Sequence, residues 1–319
     1  MQSDRQEPLL FAGSSHPTLA GEIARFLGLP LGRMLCRDFP DGELEVEIQE
    51  TVRGREVFVV QSIAKDPNRY LVELLLIVDA LKRSAAGEIY AVLPYYGYSR
   101  QDRRDKPRVP ITAKLIADLL QVAGVKHLLA MDLHAEQLEG FFDIPVDTLY
   151  ARPLLIEALQ KTLAGQVSNL VVATPDVGSI KLARSYAMQL GVEMVIIDKT
   201  RVDAQQVKVT TVIGTVEGKD VLLADDMCST GGTLVSAAKA CREKGAKRIF
   251  AAVTHGLFVG SAVERIEESP IEALFVGDTL PWEDHVAACR KIIPVSVAGL
   301  FARAIHCIVA GESVSSLSR

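Results

Sequence analysis

Val221-Leu222-Leu223-Ala224-Asp225-Asp226-Met227-Cys228-Ser229-Thr230-Gly231-Gly232-Thr233 is the stretch on which the reading of this chain turns. Four aliphatic residues bounded by polar ones read as a buried strand, and an amphipathic helix pattern follows over Thr233 to Lys244. A strand that turns through a glycine pair directly into a helix is the repeating unit of a helix-covered parallel sheet. Read as standing at the strand's end, Asp225 and Asp226 can accept hydrogen bonds from a vicinal diol. The Ser229-Thr230-Gly231-Gly232-Thr233 turn gathers backbone N–H groups at a helix N-terminus, which suits a phosphate. An ordinary turn capped by Thr230 or Thr233 accounts for a threonine and a glycine. It does not account for two like charges side by side, so the phosphate-plus-diol reading is favoured.

The same alternation runs outward in both directions. Strand patterns stand at Val57–Val60, Ile89–Leu93, His127–Ala130, Leu170–Ala173, Met194–Ile197 and Ile249–Val253. Between them lie helix patterns at Tyr70–Arg83, Ile111–Ala123 and Ile180–Leu190. The alternation restarts after Tyr150-Ala151-Arg152-Pro153. The expectation is an α/β protein of two domains, residues 1–150 and 151–319, each a mainly parallel sheet flanked by helices, with about the last fifteen residues returning to the first domain. In such sheets ligands bind beyond the carboxyl ends of the strands.

Composition narrows the class without naming an activity. The 319 residues are 49% hydrophobic and 24% charged, which rules out wholesale disorder. No apolar run approaches the roughly 18 residues of a membrane span; the longest is broken by Glu73 and Asp79. The first ten residues carry no apolar signal core. Five cysteines without a Cys-x-x-Cys pair fit neither a disulfide framework nor a zinc site, so a reducing cytoplasm is expected. A net charge of −5 argues against a nucleic-acid partner.

Three further clusters carry chemistry. Arg100-Gln101-Asp102-Arg103-Arg104 follows the Ile89–Leu93 strand, and guanidinium groups bind phosphate oxygens bidentately. A solvated basic loop is the plain alternative. Asp132-Leu133-His134 stands after His127–Ala130, where Asp132 and His134 suit Mg²⁺ and the phosphates it carries. Phe39-Pro40-Asp41-Gly42-Glu43 is at minimum a strong turn signal.

These motifs, in this order, resemble the ribose-phosphate diphosphokinase (phosphoribosyl-diphosphate synthetase) family from Phe11 to Ser315. The resemblance implies two phosphoribosyltransferase-like domains and transfer of the diphosphoryl group of ATP to carbon 1 of ribose 5-phosphate. It implies an ATP site of Phe39, Asp41, Glu43, Arg100, Gln101, Asp102, Arg103 and His134, and a ribose 5-phosphate site of Asp225, Asp226, Ser229, Thr230, Gly231, Gly232 and Thr233. Asp132, His134 and Asp176 would serve Mg²⁺, while Lys199 and Arg201, beyond the Met194–Ile197 strand, would be catalytic. Inorganic phosphate as activator, no membrane partner, and a homohexamer built from dimers are further implications. Two departures stand out: Ser229 replaces an acidic residue common in the family, and Ser179 replaces the second glycine of a Pro-Asp-x-Gly-Gly segment. A phosphoribosyltransferase and a non-catalytic regulatory member remain open alternatives at this point.

Overall fold

The computed structural model describes residues 7–165, 167–200 and 209–318. Strand β1 (Leu9–Ala12) leads into α1 (Pro17–Leu27), which opens on Pro17 with the His16 ring accepting from the Leu19 amide and closes on Gly28 at φ 69°. An antiparallel hairpin of β2 (Met34–Asp38) and β3 (Leu44–Ile48) follows. Then come β4 (Val57–Val60), α2 (Pro67–Arg83), β5 (Ile89–Leu93), α3 (Thr112–Ala123), β6 (His127–Met131) and β7 (Val146–Leu149). The order β1-β4-β5-β6-β7 forms one parallel sheet. Leu71, Leu74, Ile77, Val78 and Leu81 of α2 recur at helical spacing and are buried with Val57, Val59, Ala91 and Leu93 of the strands. Glu73, read above as a break in an apolar run, is fully buried; the amide and hydroxyl of Ser14 both donate to its carboxylate.

The second half holds α4 (Arg152–Thr162), β8 (Leu170–Thr174), α5 (Ile180–Leu190), β9 (Glu193–Thr200), β10 (Val209–Ile213), β11 (Asp220–Cys228), α6 (Gly232–Glu243), β12 (Arg248–Gly256), α7 (Ala262–Glu267), β13 (Ala273–Gly277), α8 (Asp284–Ala288) and β14 (Ile292–Val295). Its seven-stranded sheet has the order β10-β9-β8-β11-β12-β13-β14 and is parallel except where β10 turns back on β9. The fold class is therefore the expected one. Helix α9 (Ala298–Ala310) follows, and then a 3-10 helix over Val314–Ser318.

Contacts divide the chain into two compact units. One comprises Met1–Tyr150, Thr279–Pro281 and Val297–Arg319; the other comprises Ala151–Asp278 and Trp282–Ser296. The returning segment is longer than the fifteen or so residues expected: it begins at Val297 and includes α9, which packs on α1.

Two strands run further than their aliphatic cores. Strand β11 continues through Asp225, Asp226 and Met227 to Cys228, because β12 stays paired with it as far as Gly256. Strand β9 likewise includes Lys199 and Thr200, which face Thr210 and Val209 of β10. Asp225, Asp226 and Lys199 thus lie within strands rather than beyond them. At the centre of the second sheet, Leu223 is fully buried, whereas Met188 on α5 is 77% exposed. Leu223→Ala is expected to cost about 2–5 kcal/mol in denaturant titration and Met188→Ala no more than about 0.5 kcal/mol.

Candidate functional site

In the first unit the Phe39–Glu43 motif forms the tip of the β2–β3 hairpin. The Phe39 amide donates to the Glu43 carbonyl at 2.8 Å, and the Gly42 amide to the Phe39 carbonyl at 2.9 Å. Gly42 holds φ 93°, which a side chain would resist. This turn leaves the Phe39 ring 42% exposed, with Asp41 and Glu43 exposed beside it. Next to the tip, at the end of β2, Arg69 of α2 pairs with Asp38 at 2.8 Å.

The basic loop follows β5 and is bracketed by Tyr98 and Arg108, which hold φ of 61° and 65°. Strained backbone of this kind persists where the surroundings over-determine it, and functional loops are its usual location. Gln101 fixes the loop to α3: its carbonyl accepts the Ala113 amide at 3.2 Å, and its side chain meets the Thr112 hydroxyl. Arg100, Arg103, Arg104, Lys106 and Arg108 are exposed and make no ion pair among the described residues. A row of cations without internal partners is suited to an external polyanion.

The segment after β6 is brought to that loop. Gln137 donates to Asp102 at 2.6 Å, tying the Asp132–His134 segment to the Arg100–Arg104 loop. Asp132 is only 9% exposed and holds φ 38°, while His134 is exposed. No hydrogen bond or ion pair among the described residues joins the hairpin tip to either of these loops.

In the second unit the carboxylates draw together around Ser179. Its hydroxyl donates to Oδ1 of Asp225 at 2.6 Å and lies 3.3 Å from Oδ1 of Asp176, and its amide donates to Asp176 at 3.2 Å. Oδ1 of Asp225 also accepts the Asp226 amide at 3.0 Å. Asp225 is only 9% exposed, and Asp226 is half-buried. Burial pushes the Asp225 carboxyl up to about 7; the Ser179 hydrogen bond opposes the rise, and the charges of Asp226 and Asp176 add to it.

The glycine turn meets α6 as the sequence anticipates, with one difference. The N-cap is Gly231, at φ 73° and with no side-chain cap, rather than Thr230 or Thr233. The N-cap residue therefore offers no side chain to the start of the helix, the arrangement an anion can use. The turn is held from outside by the Val259 amide on the Ser229 carbonyl at 3.0 Å and by Arg265 on the Thr230 carbonyl at 3.3 Å. Burial pushes the Cys228 thiol up to about 12, which leaves it a packing group rather than a nucleophile.

Lys199 is placed by its backbone, opposite Thr210 in the β9–β10 pair; Arg201 lies outside the described residues. Sequence reasoning missed Arg265 altogether and noted Ser179 only as a departure. A basic residue on α7, 35 positions from Thr230, carries no local signal. No group of three or more His, Cys, Asp or Glu side chains among the described residues is arranged to hold a metal ion. A cation that keeps several waters and arrives with phosphates needs only one or two carboxylates, and buried Asp132 and the Asp176–Asp225 pair fit that demand.

The chain matches the family described as the N-terminal domain of ribose phosphate pyrophosphokinase over residues 9–124, and the phosphoribosyl synthetase-associated domain over residues 201–319. It is 48% identical over 310 residues to a ribose-phosphate pyrophosphokinase of Ralstonia nicotianae, covering 97% of each chain. It is 51% identical over 308 residues to that of Chlorobaculum tepidum, covering 97% of this chain and 94% of the relative. The crystal structure of phosphoribosylpyrophosphate synthetase from Mycobacterium smegmatis superposes with a TM-score of 0.90 at 38% identity, over 96% of this chain and all of that one.

The raised carboxyl has a consequence for stability. The native state holds a proton on Asp225 up to about pH 7, whereas the unfolded chain releases it near 4, so stability falls between those values as pH rises. Asp225→Asn, which stays neutral, is expected to gain melting temperature relative to the parent as pH goes from 4 to 8 without ligands. Calorimetric scans showing the same difference at both ends would contradict the assignment.

Proposed function

The chain belongs to the ribose-phosphate pyrophosphokinase family, and on that premise we propose how its two units divide the chemistry. The enzyme transfers the diphosphoryl group of ATP to carbon 1 of ribose 5-phosphate, giving phosphoribosyl diphosphate and AMP. In our reading the first unit takes ATP. The exposed Phe39 ring stacks on adenine while Asp41 and Glu43 accept from its amino group. Arg100 and Arg103 bind the phosphates, and Gln101 and Asp102 hold the loop in place through α3 and Gln137. His134 meets the phosphates from the neighbouring segment.

The second unit takes ribose 5-phosphate. The amides at the start of α6 and the Ser229, Thr230 and Thr233 hydroxyls receive the 5-phosphate, and Gly231 and Gly232 let the backbone come close. Asp225 and Asp226 accept from the ribose hydroxyls. The C1 oxygen attacks the β-phosphorus in line; the new O–P bond forms as the bond from that phosphorus to the oxygen bridging to the α-phosphate breaks, and AMP leaves with that oxygen. Lys199 and Arg201 stabilise the charge on the transferring group. Asp132, His134 and Asp176 are the residues that would hold Mg²⁺, directly or through water, and the ion supplies charge neutralisation on the phosphates when bound. Inorganic phosphate is read as an activator that meets Arg104 and Arg108.

The reading that carries this most directly is the Asp225–Thr233 segment, where a diol acceptor and an uncapped helix start lie within nine residues. The rival phosphoribosyltransferase chemistry is separated by one assay: with ATP, Mg²⁺ and ribose 5-phosphate, AMP accumulates in step with phosphoribosyl diphosphate.

We also infer a homo-oligomer, a homohexamer built from dimers, working in the cytoplasm. Leu115, Leu119 and Val122 stand on one face of α3, continued by Ile111 before it, and are 54%, 38%, 78% and, for Ile111, 37% exposed. Val72 and Leu76 of the neighbouring α2 extend the apolar stripe, which a second copy would cover. The five cysteines are all free, as a reducing compartment requires.

Two outcomes are expected. Lys199→Ala and Arg201→Ala each lower kcat by roughly 100-fold or more while the KM values move far less; near-parental turnover in both would remove them from the mechanism. Val122→Glu together with Leu115→Glu lowers the assembly's mass in light scattering, and an unchanged mass would place the interface elsewhere.

A further inference from the structure

Asp225 uses its two carboxylate oxygens unequally. Oδ1 receives the Ser179 hydroxyl at 2.6 Å and the Asp226 amide at 3.0 Å, whereas Oδ2 has no donor among the described residues. Beside it stand two more carboxylates, Asp176 and Asp226, both of which repel its charge. A carboxylate so placed needs a fixed donor to stay in one rotamer. A serine hydroxyl has a single hydrogen, and the nearer acceptor takes it: Asp225 at 2.6 Å rather than Asp176 at 3.3 Å. Ser179 is itself 9% exposed and fixed by its own amide on Asp176, so its hydroxyl is a rigid donor rather than a swinging one.

We propose that Ser179 is a positioning residue for the ribose diol: by holding Oδ1 of Asp225 it presents Oδ2 of that carboxylate to the sugar hydroxyls. The inference rests on the reading of Asp225 as the diol acceptor. Ser179 need not touch the substrate; it acts through Asp225, and it stands where the family's pattern has a glycine. In this chain the diol acceptor is therefore oriented by a side chain that such a glycine cannot supply.

The test is steady-state kinetics on the full-length enzyme with each substrate varied, joined to calorimetric titration of ribose 5-phosphate. Ser179→Ala and Ser179→Gly are expected to raise the KM for ribose 5-phosphate, and its dissociation constant, roughly tenfold, the loss of one charge-assisted hydrogen bond. The KM for ATP should stay unchanged and kcat within about twofold. Ser179→Thr keeps a hydroxyl and should stay close to the parent. Parental ribose 5-phosphate affinity in the alanine and glycine variants overturns the proposal, and so does a threonine variant as impaired as alanine, since that marks packing rather than donation. Asp225→Ala separates this from the site reading. If it leaves ribose 5-phosphate affinity intact, the diol assignment itself falls; if it abolishes affinity while Ser179→Ala does not, only the role of Ser179 falls.

Discussion

Parallel pairing is the constraint on which the rest depends. In the first sheet every strand runs the same way, and in the second all but β10 do. Parallel neighbours cannot be joined by tight hairpins, so each strand must be followed by a crossover, and the crossovers cover both faces. All carboxyl ends then lie along one edge of each sheet. Asp132 after β6, the Arg100–Arg104 loop after β5, Asp176 after β8 and the Gly231 turn after β11 are brought to such edges by this rule alone, with no contact between them required beforehand.

Onto that frame the second unit adds an electrostatic problem and its answer. Burial at the end of β11 strips water from Asp225, and two more carboxylates stand near. The answer is local: one hydroxyl and two backbone amides spread over Asp176 and Asp225. Elsewhere buried charges are met in the same economical way. Asp220 at the foot of β11 takes a two-point contact from Arg248, and Glu73 takes both donors of Ser14.

Much of this was legible in the residues. Val57–Val60, Ile89–Leu93 and Ile180–Leu190 are read to the residue because their apolar patterns end in unambiguous polar or glycine signals. The strands β1, β7 and β14 are as short as Val57–Val60 but lack its β-branched run: β1 has no β-branched residue, and Asp147 and Pro294 interrupt the other two. The β9–β10 hairpin hides because Lys199, Thr200 and Thr210 are polar, and only the pairing partner makes them strand. The Asp225–Gly231 motif could be seen because its parts are adjacent. The Ser179–Asp225 contact could not, since 46 residues separate the two and a serine before a helix reads as a cap. Arg265, and the inclusion of the first half of α9 in the returning segment, are hidden for the same reason of distance.

That return has a consequence for how the chain is made. Residues Ala151–Asp278 lie between two portions of the first unit, so the ribosome finishes nearly all of the second unit before it releases α9. Until then Leu19, Ala20, Ile23 and Ala24 on α1 lack the helix that packs against it. At ordinary elongation rates the gap lasts on the order of tens of seconds, long compared with hydrophobic collapse. The nascent protein therefore passes through a state in which one half is complete and the other waits, adhesive, for its last twenty or so residues. A stop codon before Val297 would leave it there permanently.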